Sequence, residues 1–124
     1  MTSPVRALIF DLDGTLVDTL DGIANAINCA LMRHGLAPLT ISEVADRVGE
    51  GGTALVEYAL KKTGHEGHSE RVAQLQESYF QAYLSAPIHG TRIFPDVIPM
   101  LERAQARNLD LAICTNKAGV LAEA

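Results

Sequence analysis

Three features of the sequence predict an α/β fold with a helical segment inserted between parallel strands. Two short apolar runs, Val5 to Phe10 and Leu109 to Cys114, each stop at a polar turn, as strands buried in parallel sheets do. Between them, from about Leu20 to Leu84, apolar residues recur at the 3.6-residue period of a helix. The 124 residues are 48% apolar and 20% charged, a composition that supports a packed core and excludes disorder as the main state.

The first strand, apolar except for Arg6, is expected to be buried on both faces. A helix follows from about Asp18, with Leu20, Ile23, Ala24, Ile27 and Leu31 on one face and Gly35 as its stop. Thr40-Ile41-Ser42-Glu43 has capping-box spacing and predicts a short helix to about Val48. Gly49-Glu50-Gly51-Gly52 interrupts it, and Leu55, Val56, Ala59 and Leu60 mark a third helix ending near Gly64. A fourth spans about Ser69 to Leu84, carried by Val72, Leu75, Tyr79 and Tyr83, with Pro87 limiting its extension. Tyr79, Phe80 and Tyr83 read as core and surface aromatics of that helix. Asp96 is placed to cap a fifth helix running to about Arg107, Pro99 being tolerated in its first turn. Asn108 ends it, and the second strand terminates at Thr115-Asn116-Lys117. Polar groups at a strand's carboxyl end stand where an open α/β sheet presents its active edge.

Charge and cysteine usage narrow the function. Ten basic against fifteen acidic residues give a net charge of -5, and the basic residues form no stripe that could follow a phosphate backbone, so no nucleic-acid partner is expected. Cys29 and Cys114 lie far apart outside any CxxC pattern and read as small core residues of a protein in a reducing compartment. No apolar run reaches signal-peptide or membrane-span length, which predicts a cytoplasmic protein without a membrane partner. His65 and His68, with Glu66 and Glu70, sit beside Gly64 and Gly67 and read as a solvated loop rather than a metal site; His34 and His89 carry no partner signal.

The chemistry is concentrated in Asp11-Leu12-Asp13-Gly14-Thr15-Leu16-Val17-Asp18. Asp11 and Asp13 leave the end of a buried strand, and Gly14 lets the chain turn there. At ~5 Å and an effective dielectric near 20, two such carboxylates repel by roughly 3 kcal/mol, which a divalent cation or a shared proton would relieve. A carboxylate is a competent nucleophile toward phosphorus, and a second one can protonate the leaving oxygen and then activate water. A calcium-binding EF-hand loop also begins DxDG, but a strand precedes this one and its twelfth position is Gly22 rather than glutamate.

The apolar strand followed by DxDGT resembles the first motif of the haloacid-dehalogenase superfamily, and LVDT after it is similar to the phosphoglycolate-phosphatase-like branch. The resemblance implies a Rossmann-like core of parallel strands with an inserted helical cap, and Mg²⁺-dependent phosphomonoester hydrolysis through an aspartyl-phosphate. It implies that Asp11 is the nucleophile and Asp13 the general acid and base, with the Asp11 side chain and the Asp13 backbone carbonyl holding Mg²⁺. Ala112-Ile113-Cys114-Thr115-Asn116-Lys117 matches the family's second motif, which makes Thr115 and the Asn116 N–H phosphate-binding groups. Arg47-Val48-Gly49-Glu50-Gly51 resembles the substrate loop of the cap, so Arg47, Gly49 and Gly51 are expected at the substrate, a small phosphorylated metabolite. Phe94-Pro95-Asp96-Val97 is similar to the return from cap to core, with Asp96 where a glycine is usual.

On this resemblance, residues 1–19 and 86–124 belong to the core and 20–85 to the cap. The family's third and fourth motifs, which bring a phosphate-binding lysine and further Mg²⁺-binding acids, lie downstream of the second core strand and are absent from these 124 residues. The expectation is therefore an N-terminal portion with uncovered strand edges, prone to self-association. Lys117 is a poor substitute for the missing lysine, since it directly follows the second motif. Two alternatives to a working phosphatase stay open: a catalytically incomplete fragment or pseudoenzyme that only binds or associates, and a family phosphomutase. A dehalogenase fits less well, because that branch does not use an acid at the Asp13 position.

Overall fold

A computed structural model of the chain describes residues 3–65 and 67–124. Strand β1 (Ala7–Phe10) pairs in parallel with β4 (Asp110–Ile113), in the register Ala7 to Asp110 through Phe10 to Ile113. The chain leaves β1 through the acidic turn into the short β2 (Val17–Asp18), traverses helices α1 (Leu20–Arg33), α2 (Ile41–Ala45), α3 (Gly52–Lys62) and α4 (Ser69–Ser85), and returns through β3 (Arg92–Ile93). Helix α5 (Val97–Ala106) then packs against β4, and a last turn of helix, α6 (Gly119–Ala122), follows it. Strands β2 and β3 are antiparallel, pairing Val17 with Ile93 and Asp18 with Arg92 at the two places where the chain crosses between sheet and helices. This ribbon and α6 are too short to give a periodic signal in the sequence.

The densest packing lies among the inserted helices. On α1 the residues spaced for one face, Ile23, Ala24, Ile27 and Leu31, are buried together with Ala26 and Ala30, and the helix packs most extensively on α4. Ile27 and Leu31 have no exposed surface, and each contributes about 1.5–3 kcal/mol through burial. Leu55, Val56, Ala59 and Leu60 of α3 and Leu75, Tyr79 and Tyr83 of α4 close the same core. Asn28 ties the α1–α2 connection to this core, exchanging hydrogen bonds with both the N–H (2.8 Å) and the carbonyl (3.0 Å) of Leu39. The capping box is formed as expected. Glu43 N donates to Thr40 Oγ1 at 3.2 Å, and Thr40 N donates to the Glu43 carboxylate at 2.8 Å.

Four expectations are corrected. Strand β1 is not buried on both faces: Leu8 and Phe10 are half-buried, whereas Ile9 is 71% exposed and Ile113 of β4 56%, because among the described residues the sheet here is the β1–β4 pair alone, with α5 packed on β4. Cys114 is exposed and Cys29 half-buried, so neither is a core cysteine. Asp96 gives α5 no side-chain cap; it occupies the left-handed region (φ 66°), the conformation a glycine adopts most easily. Helix α2 ends at Ala45, and turns carry the chain on to the Gly49 loop. His34 also has a partner that its sequence context did not announce, the Ser78 hydroxyl at 2.8 Å.

Candidate active site

The β1–β4 register places the acidic turn beside the second polar strand end. Phe10 pairs with Ile113 and its carbonyl accepts from Cys114 N at 2.8 Å, so Asp11 and Thr115 emerge next to each other at the carboxyl ends of the strands. Beyond Asp11 the chain doubles back: Leu12 O accepts from the N–H groups of Thr15 and Leu16, both at 3.1 Å, and Gly14 N donates to Val17 O at 2.8 Å. Gly14 has φ 78°, the positive value this turn was expected to need.

The two carboxylates occupy different environments. Asp11 is exposed, and its Oδ1 accepts the N–H of Leu12 at 2.8 Å. Asp13 is buried, and its Oδ1 accepts both the Thr19 hydroxyl at 2.8 Å and the Lys117 ammonium at 3.1 Å. The charge of Asp13 is thus met by a lysine and a hydroxyl. The Lys117 ammonium also donates to the Tyr83 hydroxyl of α4 and lies 4.4 Å from the centre of that ring. Burial pushes the neighbouring Tyr79 hydroxyl far above its ordinary pKa, with Tyr83 and Asp13 adding to the shift.

The glycine loop before α3 closes over these groups. A Cβ on Gly49 would stand 3.9 Å from Asp11 Oδ2, and one on Gly51 would stand 2.8 Å from the Asn116 carbonyl oxygen, closer than a real side chain comes. Val48 packs on the acidic turn, 3.4 Å from where a Cβ on Gly14 would lie. Asn116 Nδ2 donates to Gly49 O at 2.8 Å. Thr115 is half-buried and its Oγ1 accepts the Lys117 N–H at 3.1 Å, leaving the hydroxyl proton available for a ligand.

Arg47 is held rather than free. Its Nη1 donates to Glu43 O at 3.2 Å, and its guanidinium stacks 3.3 Å above the Tyr58 ring. Tyr58 in turn donates to Glu43 Oε1 at 2.9 Å, and Lys62 pairs with the same oxygen. Lys62, the Thr40 amide and Tyr58, in that order of effect, hold the Glu43 carboxyl down at about 2, and the bond to Glu43 raises the Tyr58 hydroxyl.

Arg47, Asp13, Gly49, Gly51, Tyr79 and Lys117 are among the residues around a cavity of about 20 Å³, room for about one water. The cap thus packs closely around Asp13, whereas Asp11 stays exposed and does not line this cavity. A larger hollow of about 530 Å³ lies between α3 and the start of α4, lined by residues such as Tyr58, Lys61 and His65, and includes no part of that turn. Among the described residues no three His, Cys, Asp or Glu side chains gather into a metal-holding group, and Glu66 of the His65–Glu70 segment lies outside the described residues. The exposed Asp11 carboxylate and the turn carbonyls are hard oxygen donors, a set that suits Mg²⁺, which accepts one or two carboxylates and completes its shell with water and phosphate oxygens.

Sequence reasoning missed Lys117, Thr19 and Tyr83. The sequence presents Thr19 as the last residue of LVDT, Tyr83 as a core aromatic of α4 and Lys117 as a poor substitute for the third-motif lysine, none of them as a partner of Asp13. The parallel register itself carried that signal, since it brings the loops after β1 and β4 together.

An acidic turn at the carboxyl end of a parallel strand, covered by helices inserted directly after it, defines a capped α/β protein with its site at the strand ends. The chain belongs to the haloacid dehalogenase-like hydrolase family, whose sequence model matches residues 8–123. It is 38% identical over 113 residues to the phosphoglycolate phosphatase of Yersinia pestis, covering 91% of this chain and 49% of that protein. The phosphoglycolate phosphatase of Rhodospirillum rubrum is 37% identical over 116 residues, covering 90% and 48%. The chain thus spans about half the length of these curated relatives. Its fold matches the crystal structure of a predicted phosphoglycolate phosphatase from Haemophilus somnus with a TM-score of 0.82 at 28% identity, over 96% of this chain and 57% of that one. A hydrolase from Pseudomonas syringae matches with a TM-score of 0.75 at 29% identity, over 94% and 52%.

Proposed function

We propose that this chain carries the nucleophile, the acid–base group and the cap of a Mg²⁺-dependent phosphomonoesterase, with phosphoglycolate as its substrate. The observation that carries this reading is the exposed Asp11 carboxylate at the end of β1, beside Thr115 and beneath the Gly49 loop. In the proposed reaction an Asp11 oxygen attacks phosphorus while the bond from phosphorus to the substrate's alkoxy oxygen breaks, and Asp13 gives that oxygen its proton. Water then attacks phosphorus, passes a proton to Asp13 and releases inorganic phosphate and free Asp11. Thr115 and the Asn116 N–H donate to the phosphoryl oxygens. Mg²⁺, held by the Asp11 carboxylate and the Asp13 backbone carbonyl, supplies charge neutralisation of the phosphoryl group.

Residues 20–85 serve as the cap and 1–19 with 86–124 as the core; the β2–β3 ribbon at both crossings supports this division. The cavity beside Asp13 has room for about one water, so in this reading the cap lifts for a leaving group to reach Asp13. A cytoplasmic location belongs to the same reading; among the described residues no helix is long and apolar enough to cross a membrane. The exposed Ile9 and Ile113 support self-association of the 124-residue chain, which light scattering tests.

The experiment for the function is hydrolysis of a phosphomonoester panel by the protein at its full natural length, with and without Mg²⁺. Metal-dependent turnover with phosphoglycolate preferred supports the reading, and absence of turnover on every phosphomonoester overturns it.

A further inference from the structure

Lys117 joins three segments that are far apart in sequence. Its ammonium donates to Asp13 Oδ1 at 3.1 Å in the turn after β1 and to the Tyr83 hydroxyl on α4, while Lys117 itself follows β4. The Lys117 side chain is 7% exposed and that of Asp13 9%, so water cannot replace either contact cheaply. Tyr83 is itself fixed, buried among the inserted helices with its ring 6.3 Å from that of Tyr79. Where the ammonium can rest therefore depends on whether α4 is seated. The Asp13 carboxylate, which it holds, depends on α4 in turn.

We propose that Lys117 is a positioning residue that makes the placement of the Asp13 carboxylate conditional on the seating of α4, by bridging that carboxylate and the Tyr83 hydroxyl. The inference rests on Asp13 being the proton donor of the proposed reaction. With the cap lifted, Tyr83 withdraws from the ammonium and Asp13 loses part of its support. With the cap seated, the carboxylate is fixed beside the substrate, so proton transfer is confined to the closed state that excludes water.

Two substitutions test this in the protein at its natural length: Lys117→Met, which removes the ammonium and keeps most of the side chain's length, and the milder Tyr83→Phe, which removes one hydroxyl. With an alkyl phosphomonoester, Lys117→Met is expected to lower kcat about 10- to 100-fold and Tyr83→Phe about 3- to 10-fold, with KM moving less than about 3-fold in both. Both losses should shrink with an aryl phosphate, whose leaving oxygen needs little protonation. Lys117→Arg should recover most of the activity, and the double variant should be no worse than Lys117→Met, because the hydroxyl acts through the lysine. A raised KM with kcat intact, equal losses for both leaving groups, or losses that multiply in the double variant would overturn the proposal.

A readout independent of turnover separates this inference from the functional reading beneath it. In Tyr83→Phe, the amide hydrogens of residues 14–17 should exchange about 10-fold faster although the lost hydroxyl lies on α4. Unchanged exchange in that turn overturns the bridge whatever the enzyme's activity. An Asp13→Asn protein that keeps its parent's turnover on every substrate, with exchange in Tyr83→Phe still accelerated, would instead remove the acid–base role and leave the bridge standing.

Discussion

The Asn116 side-chain amide donates to the Gly49 carbonyl at 2.8 Å, joining the loop after β4 to the loop that precedes α3. The close approach depends on Gly51, whose Cβ would meet the Asn116 carbonyl oxygen, whereas one on Gly49 would lie at ordinary contact distance from Asp11 Oδ2. Gly49 and Gly51 also have positive φ, 98° and 92°, a conformation that other residues adopt with strain.

Gly51→Ala places a methyl group 2.8 Å from the Asn116 carbonyl oxygen, a backbone atom that cannot swing aside. The expected result is a cap that no longer seats, with kcat/KM for phosphoglycolate reduced about 100-fold while the helical core keeps its fold. Steady-state kinetics beside far-ultraviolet circular dichroism check both halves. Parent-like kinetics would show that the closed arrangement is not the reactive one.

Arg47 lines the same cavity as Asp13, its guanidinium kept in place by the Tyr58 ring and the Glu43 carbonyl. If it meets the substrate's carboxylate, Arg47→Ala raises KM for phosphoglycolate about 10-fold or more and leaves KM for a neutral aryl phosphate nearly unchanged. Equal effects on both substrates assign Arg47 to packing against Tyr58.

Glu43 links α2 to α3 through Lys62 and Tyr58, and its folded pKa of about 2 lies below the ordinary 4.5. A depressed carboxylate pKa stabilises the fold at pH above the unfolded value, and that contribution is lost as pH falls through the folded one. The Tm difference between parent and Glu43→Gln should accordingly be full above about pH 4.5 and fade toward pH 2. A difference that stays constant across this window contradicts the assignment.

Asp13→Asn should slow hydrolysis of alkyl phosphomonoesters by about 100-fold or more, since their leaving oxygen needs a proton. Aryl phosphates should still form the phosphoenzyme at a measurable rate. Equal loss for leaving groups of differing pKa argues against Asp13 as the acid.

Much of this was legible in the sequence where local physics decides. The α1 face from Ile23 to Leu31 follows from period alone, and the Thr40–Glu43 box follows from two side chains satisfying two backbone groups. What the sequence could not show depends on which segments meet. Burial of β1 was overstated because an apolar run reports what a strand can bury, whereas Ile9 is covered only as far as its neighbours reach. Asp96 looked like a helix cap by type and position, but the backbone there is left-handed and its side chain makes no cap bond. In the site, the acidic turn and Thr115 stood out as motifs. Lys117 acquires its place only through pairing of strands about 100 residues apart, a separation no local pattern encodes.

The most direct test of the central claim is to locate the phosphoryl group during turnover. The protein at its natural length is mixed with Mg²⁺ and phosphoglycolate, quenched in acid, and its peptides are examined by mass spectrometry. The account predicts a phosphoryl group on Asp11, absent from Asp11→Asn, whose turnover is abolished. Phosphorylation of another residue such as Thr115, or hydrolysis that proceeds with no phosphorylated residue at any time point, would contradict it.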